Sequence, residues 1–408
     1  MKRHFKGIDV LRGLGIFSVL SLHTAFYYFD GIYDVDLSDP PLIITLIGFL
    51  LMFAGLFAMI SGFVHTLQTY RKIKEKGFDL KATFKYSIIA GLYILLIAYL
   101  YFLVTGPGII LFDTRSMDNS FLVELIKNRQ FILPSLERLL YVDSLVMIGL
   151  NIILLGVASF VGFKTIKTDK NRSYYFYILA LVVLLISILR IPLYNVYLDA
   201  RDNNNYFLIL VLNWFVNKNN PILPFYAFAL FGAWLSTLIM IGDVKQTRLK
   251  VLASGFVFMI VGVTIYITAE ETMLERQIDY TWFGIMIMQI GLFKLLILGF
   301  LRLYDYSNSD KELNIVSRFL YRFGVAGFSI FFIEQVFSSI FKEIMLFINK
   351  DLYLDLFPSI ILGVTIAVVW GFLLKLWSKY NYKYGLEYFY GKAMSKFGGS
   401  EKTKKLEE

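Results

Sequence analysis

Cysteine is absent from this 408-residue chain, which excludes disulfides, thiolate metal sites and cysteine nucleophiles. Histidine is almost absent, and the three present, His4, His23 and His65, are too scattered to form a metal site. Charged residues make up only 17% of the chain, against about 25% in a typical soluble domain. Heptads, a P-loop, a Rossmann glycine pattern and an obvious internal repeat are missing as well. What fills the chain is apolar: 57% of residues, with 39 Phe and 27 Tyr. The apolar residues come in unbroken runs of about 20, the length that crosses a hydrocarbon core of ~30 Å. These runs continue from end to end without a globular break. They predict an all-α, polytopic membrane helix bundle.

About ten spanning helices are expected, near 8–29, 42–68, 84–105, 138–163, 174–193, 220–241, 249–269, 281–303, 324–348 and 356–377. The first run follows Lys2, Arg3 and Lys6 as a signal peptide would. It contains Asp9, Arg12 and His23 and lacks a small-residue cleavage site, so it reads as a retained helix. Loop charge orients the bundle, because cytoplasmic loops keep an excess of Lys and Arg. Segments 1–12, 69–85, 164–173, 242–250, 302–322 and the tail from 375 carry 29 bases between them. The alternate segments 30–41, 105–137, 192–219, 270–280 and 349–357 carry 7 bases and 16 acids. Both termini therefore fall in the cytoplasm. The net charge of +9 arises from this asymmetry and does not point to nucleic acid.

Two outer segments exceed a simple turn. Residues 105–137 hold Gly106-Pro107-Gly108, a charged stretch and the mostly apolar run 131–136. Residues 192–219 surround FLILVLNWFV at 207–216, which is too short to span and is expected to be re-entrant, interfacial or packed on the bundle. The membrane domain is expected over 1–390, with 391–408 as a mobile, charged cytoplasmic tail. Asn171-Arg172-Ser173 fits a glycosylation sequon but falls on the cytoplasmic side.

Ionisable groups inside the bilayer are costly, so each is a candidate site that needs a partner. The first helix concentrates them. Asp9 and Arg12 share a face near the cytoplasmic surface, and His23 lies eleven residues beyond Arg12, ~16 Å along the axis. That places His23 well inside the membrane, nearer the outer face. Two readings stand: a helix-locking salt bridge with a satisfied buried histidine, or a site built on His23. Asp143 in the fourth helix has a similar depth and is the expected carboxylate that orients the imidazole. Lys294 and Glu334 lie about ten residues, or ~15 Å, from the cytoplasmic ends of sequential helices, which predicts a buried, structural ion pair. Arg138 and Arg190 are expected to mark outer boundaries, and His65 to be structural.

Asp9-x-Leu11-Arg12-Gly13 followed by His23 resembles the opening signature of the large transmembrane acyltransferase superfamily, which includes the acyltransferase-3 proteins and relatives of heparan-α-glucosaminide N-acetyltransferase. LMFAGLFAMISGF (51–63) resembles its Ser-Gly-ended second helix, and LERLL (136–140) is similar to the Leu-Gln-Arg segment of the heparan-type branch. PILPFYAFALFGAWLS (221–236) is similar to its Pro-rich approach to a small-residue helix, and YGLEYFYGK (384–392) to its Gly-Pro-Leu-Glu-Trp ending. Gly385 stands where that ending has Pro, Glu137 stands for Gln, and FGVAGFSIFFIEQ (323–335) lacks the Arg and Asn often found near its start.

The resemblance implies that His23 is the catalytic histidine and that Asp9 and Arg12 belong to the acyl-CoA side of a tunnel. Acyl transfer needs a base for the acceptor or a nucleophile to carry the acyl group, and an imidazole can do either. Arg12, Arg71 and Lys72 are candidates for the nucleotide phosphates of acyl-CoA, the expected co-substrate, most simply acetyl-CoA. The expectation is a multi-pass plasma-membrane acyltransferase, with no metal, acting on a glycan or cell-envelope acceptor. Assembly stays open between monomer and homodimer. The alternative is a transporter or flippase that uses Asp9, Arg12, Lys294 and Glu334 as a substrate or proton path, and it calls for inverted repeats and broken helices.

Overall fold

The computed structural model describes residues 4–397 apart from 36–52, 112–113, 134, 218, 243, 270–277 and 307–311. In chain order the helices are α1 (Lys6–Tyr28), α2 (Ala54–Tyr70), α3 (Leu80–Val104), α4 (Phe121–Asn128), α5 (Leu136–Leu140), α6 (Ser144–Thr165), α7 (Asp169–Ile186) and α8 (Arg190–Asp202). They continue as α9 (Tyr206–Val216), α10 (Ile222–Ile241), α11 (Val244–Thr268), α12 (Tyr280–Leu301), α13 (Ile315–Val325), α14 (Gly327–Ile348), α15 (Leu356–Ser378) and α16 (Leu386–Phe397). One antiparallel ribbon, β1 (Ile109–Leu111) with β2 (Ser116–Asp118), is the only sheet among the described residues.

Among the described residues, eight helical stretches are long and apolar enough to cross a membrane, and a ninth if α13 and α14, bent by 84°, count as one span. The remaining expected span, 42–68, is described only from residue 53 onward, as α2. The protein is an all-α, multi-pass membrane bundle. Polar residues set where its helices begin: Asp79, Asp143, Thr168, Asn205, Asp279 and Asn314 each accept a backbone N–H from the first turn they precede. In lipid, small residues let helices touch. A Cβ on Gly62 would strike the Ala229 carbonyl oxygen and one on Gly232 that of Met59, so α2 and α10 meet backbone to backbone. Gly13 and Gly324 do the same for α1 and α13.

Contacts between helix ends sort the loops into two faces. On one, Tyr70 bonds Asp169, the Lys6 and Gly7 amides donate to Asp305, and Tyr86 and Tyr390 lie in one cluster with α3 and α16. On the other, Asp30 pairs its backbone with Leu354, Arg115 bonds Asp34, Arg201 bonds Glu137, and the Asn220 amide donates to Val142. These are the two sets that loop charge separates. In the Cys-free chain, single cysteines in 30–41 and 349–357 are expected to react with an impermeant thiol reagent from outside, and those in 69–85 and 164–173 only after permeabilisation. Outside labelling of 69–85 would invert the bundle.

The outer segments differ from expectation in detail. A 3₁₀ turn at Ser187–Leu189 joins α7 to α8, and the rod Asp169–Asp202 has 34 residues, ~51 Å, so it outruns the hydrocarbon. The apolar run at 207–216 falls in α9, which folds back along α8; Tyr197 on α8 donates to Asn213 on α9. Arg190 stands at the break between α7 and α8. It is buried, donates to the Val216 and Asn217 carbonyls at the end of α9, and stacks 4.2 Å from Trp282. Arg138 is likewise buried and gathers the carbonyls of Phe102, Pro107 and Asp118, fixing the 105–120 loop to α3. The expected domain boundary at 390 falls inside α16, and 398–408 lies outside the described residues.

Candidate functional site

The intramembrane histidine has a carboxylate partner, and it is Glu334. His23 Nδ1 lies 2.7 Å from Glu334 Oε1. The Glu334 side chain is 2% exposed and the His23 side chain 27%, so the acid is enclosed while the imidazole keeps an open edge. Helix register explains the pairing. Gly327, the first residue of α14, packs against Ile16 of α1, and seven residues on from each of these stand Glu334 and His23. Equal rise over ~10 Å brings acid and imidazole level. Further out the two helices stay joined, by Thr24 Oγ1 to Ser338 Oγ at 3.0 Å, Tyr28 hydroxyl to the Ser338 carbonyl at 3.2 Å, and Lys342 Nζ to the Tyr27 carbonyl at 3.1 Å.

Two expected pairings are corrected. Lys294 does not meet Glu334. It donates to Ser254 Oγ at 2.9 Å and sits 3.5 Å from the Phe258 ring centroid and 3.8 Å from that of Phe231, an aromatic cage on α10 and α11. Asp143 is not the carboxylate that holds His23. It precedes α6, and its Oδ1 accepts the Val146 amide at 2.8 Å. A span drawn as one helix from 138 hides this, because α5 ends at Leu140 and a new helix starts at Ser144. Asp143 still faces the same region. Its neighbours Val142 and Leu145 pack in one cluster with Tyr101 and Phe331, and the Tyr101 ring lies 5.0 Å from Phe331, itself 6.3 Å from His23. The Tyr101 hydroxyl and Asp143 Oδ2 are buried and have no hydrogen-bond partner among the described residues. Such orphans are costly in a native interior.

The break between α13 and α14 exposes the first amides of α14, and the C-terminal segment closes it. Glu387 of α16 accepts from the Phe328 amide at 2.7 Å and the Ser329 amide at 3.0 Å, and it bonds the Ser329 hydroxyl. The Ser329 hydroxyl accepts from the Leu386 amide at 2.7 Å. A carboxylate at a helix N-terminus also meets the positive end of its dipole. Gly385 lets this happen: a Cβ there would lie 2.7 Å from Ser329 Oγ and 2.9 Å from the Trp377 ring. Glu387→Ala is expected to destabilise the protein by about 1–2 kcal/mol, read as a lowered melting temperature in detergent. An unchanged melting temperature would show that water replaces the carboxylate.

At the end of the bundle where α1 starts, the four expected co-substrate residues do not converge fully. Asp9 bonds Arg12 at 2.7 Å and His4 at 2.6 Å. The Asp9 carboxylate raises the His4 pKa by its hydrogen bond and charge, against burial. Arg71 rests 6.0 Å from the Phe5 ring beside the start of α1, whereas Lys72 turns to α3 and sits 2.8 Å from the Tyr86 ring centroid. Burial, with Lys76 nearby, lowers the Lys72 pKa to about 8.

Sequence reasoning passed over Glu334 as the partner of His23, Tyr101 and the clamp by Glu387. A Gly324-Val325-Ala326-Gly327 stretch was the available signal for a break that resets helix depth. Comparison with protein-family models and with curated proteins finds no match to this chain.

Proposed function

We propose that the chain is a plasma-membrane acyltransferase that moves an acyl group, most simply acetyl, from cytoplasmic acyl-CoA to a carbohydrate or other cell-envelope acceptor on the outer side. The observation that carries this reading is the enclosed Glu334 carboxylate on His23 Nδ1, with the imidazole edge open. With Glu334 ionised, Nδ1 carries the hydrogen and Nε2 offers its lone pair. Nε2 takes the proton from an acceptor O–H or N–H as that atom bonds to the acyl carbon. The C–S bond breaks, and the imidazolium returns the proton to the departing thiolate. In the other order, Nε2 attacks the acyl carbon and the C–S bond breaks to release the thiolate; the acceptor atom then bonds the acyl carbon, the bond to Nε2 breaks, and the acceptor's proton passes to the thiolate. The Tyr101 hydroxyl and Asp143 Oδ2 are polar groups an acceptor hydroxyl can bond. The ordered likeness of the opening signature and later segments to the transmembrane acyltransferase superfamily supports the same reading.

Arg12, Arg71 and Lys72 would meet the nucleotide phosphates at the cytoplasmic face. Because the Lys72 ammonium is charged below its pKa of about 8, CoA affinity is expected to fall as pH rises through that value. Lys72→Arg should flatten this fall. Calorimetric titration of CoA into the detergent-solubilised protein reads both, and absence of CoA binding at neutral pH would sink the proposal.

One observation favours the transporter reading: the 84° break at α13–α14 is the kind of discontinuous helix that carries substrate in transporters. Against it, Glu387 already occupies the free amides at that break.

A further inference from the structure

The cytoplasmic ends of α10, α11 and α12 border a partly open cleft of ≈ 180 Å³. Its origin is in the packing. Gly255 and Gly262 of α11 meet Gly291 and Gly284 of α12 with no room for a Cβ, which draws α11 against α12. The gap left toward α10 is walled by apolar side chains, among them Leu235, Val251 and Leu298. One helical turn deeper on each helix, Phe231, Ser254 and Lys294 form the closed aromatic cage described above. The mouth is different. Arg248 and Arg302 line it, both exposed, and neither has a hydrogen bond or ion pair among the described residues. The two guanidiniums at the mouth bias the cleft toward an anion.

We propose that this cleft binds one anionic phospholipid of the cytoplasmic leaflet. The phosphate sits between the Arg248 and Arg302 guanidiniums, which suit it by fork geometry, and part of one acyl chain lies along the apolar wall. Basic pockets between helix ends on the cytoplasmic side are suited to such headgroups. The site is separate from His23, because the Lys294 cage closes its inner end.

Native mass spectrometry of the full-length protein, titrated with phosphatidylglycerol and separately with phosphatidylcholine, tests this. Wild-type protein should retain one phosphatidylglycerol in preference to phosphatidylcholine. R248Q/R302Q should weaken phosphatidylglycerol by about tenfold or more, equivalent to ~1.4 kcal/mol, and leave phosphatidylcholine unchanged. Leu298→Trp, which fills the cleft and keeps both arginines, should weaken phosphatidylglycerol as well; it carries the test if the double variant fails to fold. Equal retention of the two lipids, or undiminished phosphatidylglycerol affinity in the folded variants, would overturn the proposal. Displacement of the bound lipid by CoA or inorganic phosphate would overturn it too, since the ligand would then be a soluble phosphate.

Discussion

Substitution of His23 by Ala is expected to lower acyl transfer by about 10²–10⁴-fold, the range that a positioned general base supplies. If the imidazole carries the acyl group instead, transfer should vanish. Helix content should change little, because His23 keeps an open edge and its removal leaves no large apolar void. One complication is Glu334, which loses its partner in that variant and is left enclosed with an unpaired charge. His23→Gln, which can still bond the carboxylate, is therefore the cleaner variant. It should be as inactive as the alanine and as stable as wild type. A His23→Gln protein that unfolds would indicate that the histidine is chiefly structural, and one that transfers at the wild-type rate would end the catalytic assignment.

Glu334→Gln is expected to reduce transfer by about 10²-fold, with substrate KM unchanged, because the carboxylate orients the imidazole and stabilises its protonated form rather than touching substrate. The two effects should not add. In a His23→Gln background, Glu334→Gln should cost nothing further, since a residue that acts only through His23 has nothing left to act on. Lys294→Met should leave the rate unaltered, as Lys294 lies in its own aromatic cage and has no contact with Glu334. Full additivity of the His23 and Glu334 losses would mean that Glu334 works elsewhere.

The bundle was legible in the sequence because its two strongest signals, apolar run length and loop charge, are one-dimensional. His23 was legible for the same reason, as an imidazole inside such a run. Its partner was not, because depth along a helix must be counted from the right end. With 324–348 drawn as one continuous helix, Glu334 matches the depth of Lys294. The break after Val325 starts α14 level with Ile16 and raises Glu334 to His23. Asp143 misled by composition: an aspartate within a long apolar run looks intramembrane, yet aspartate immediately before Ser144 is a helix start. The aromatic cage around Lys294 needs Phe231, Trp234 and Phe258 from two other helices, and no spacing within one helix announces it.

The central claim is that an acyl group crosses to the outer side through His23. Inside-out membrane vesicles containing the protein, supplied externally with acetyl-CoA radiolabelled in the acetyl group, test it most directly. The account predicts that label moves from CoA into glycan or other envelope material in the vesicle lumen, and that His23→Gln vesicles of equal protein content show about a hundredth of it or less. Lumenal labelling that is equal in wild type and His23→Gln, or absent from wild-type vesicles whose protein binds CoA and that contain envelope acceptor, would contradict it.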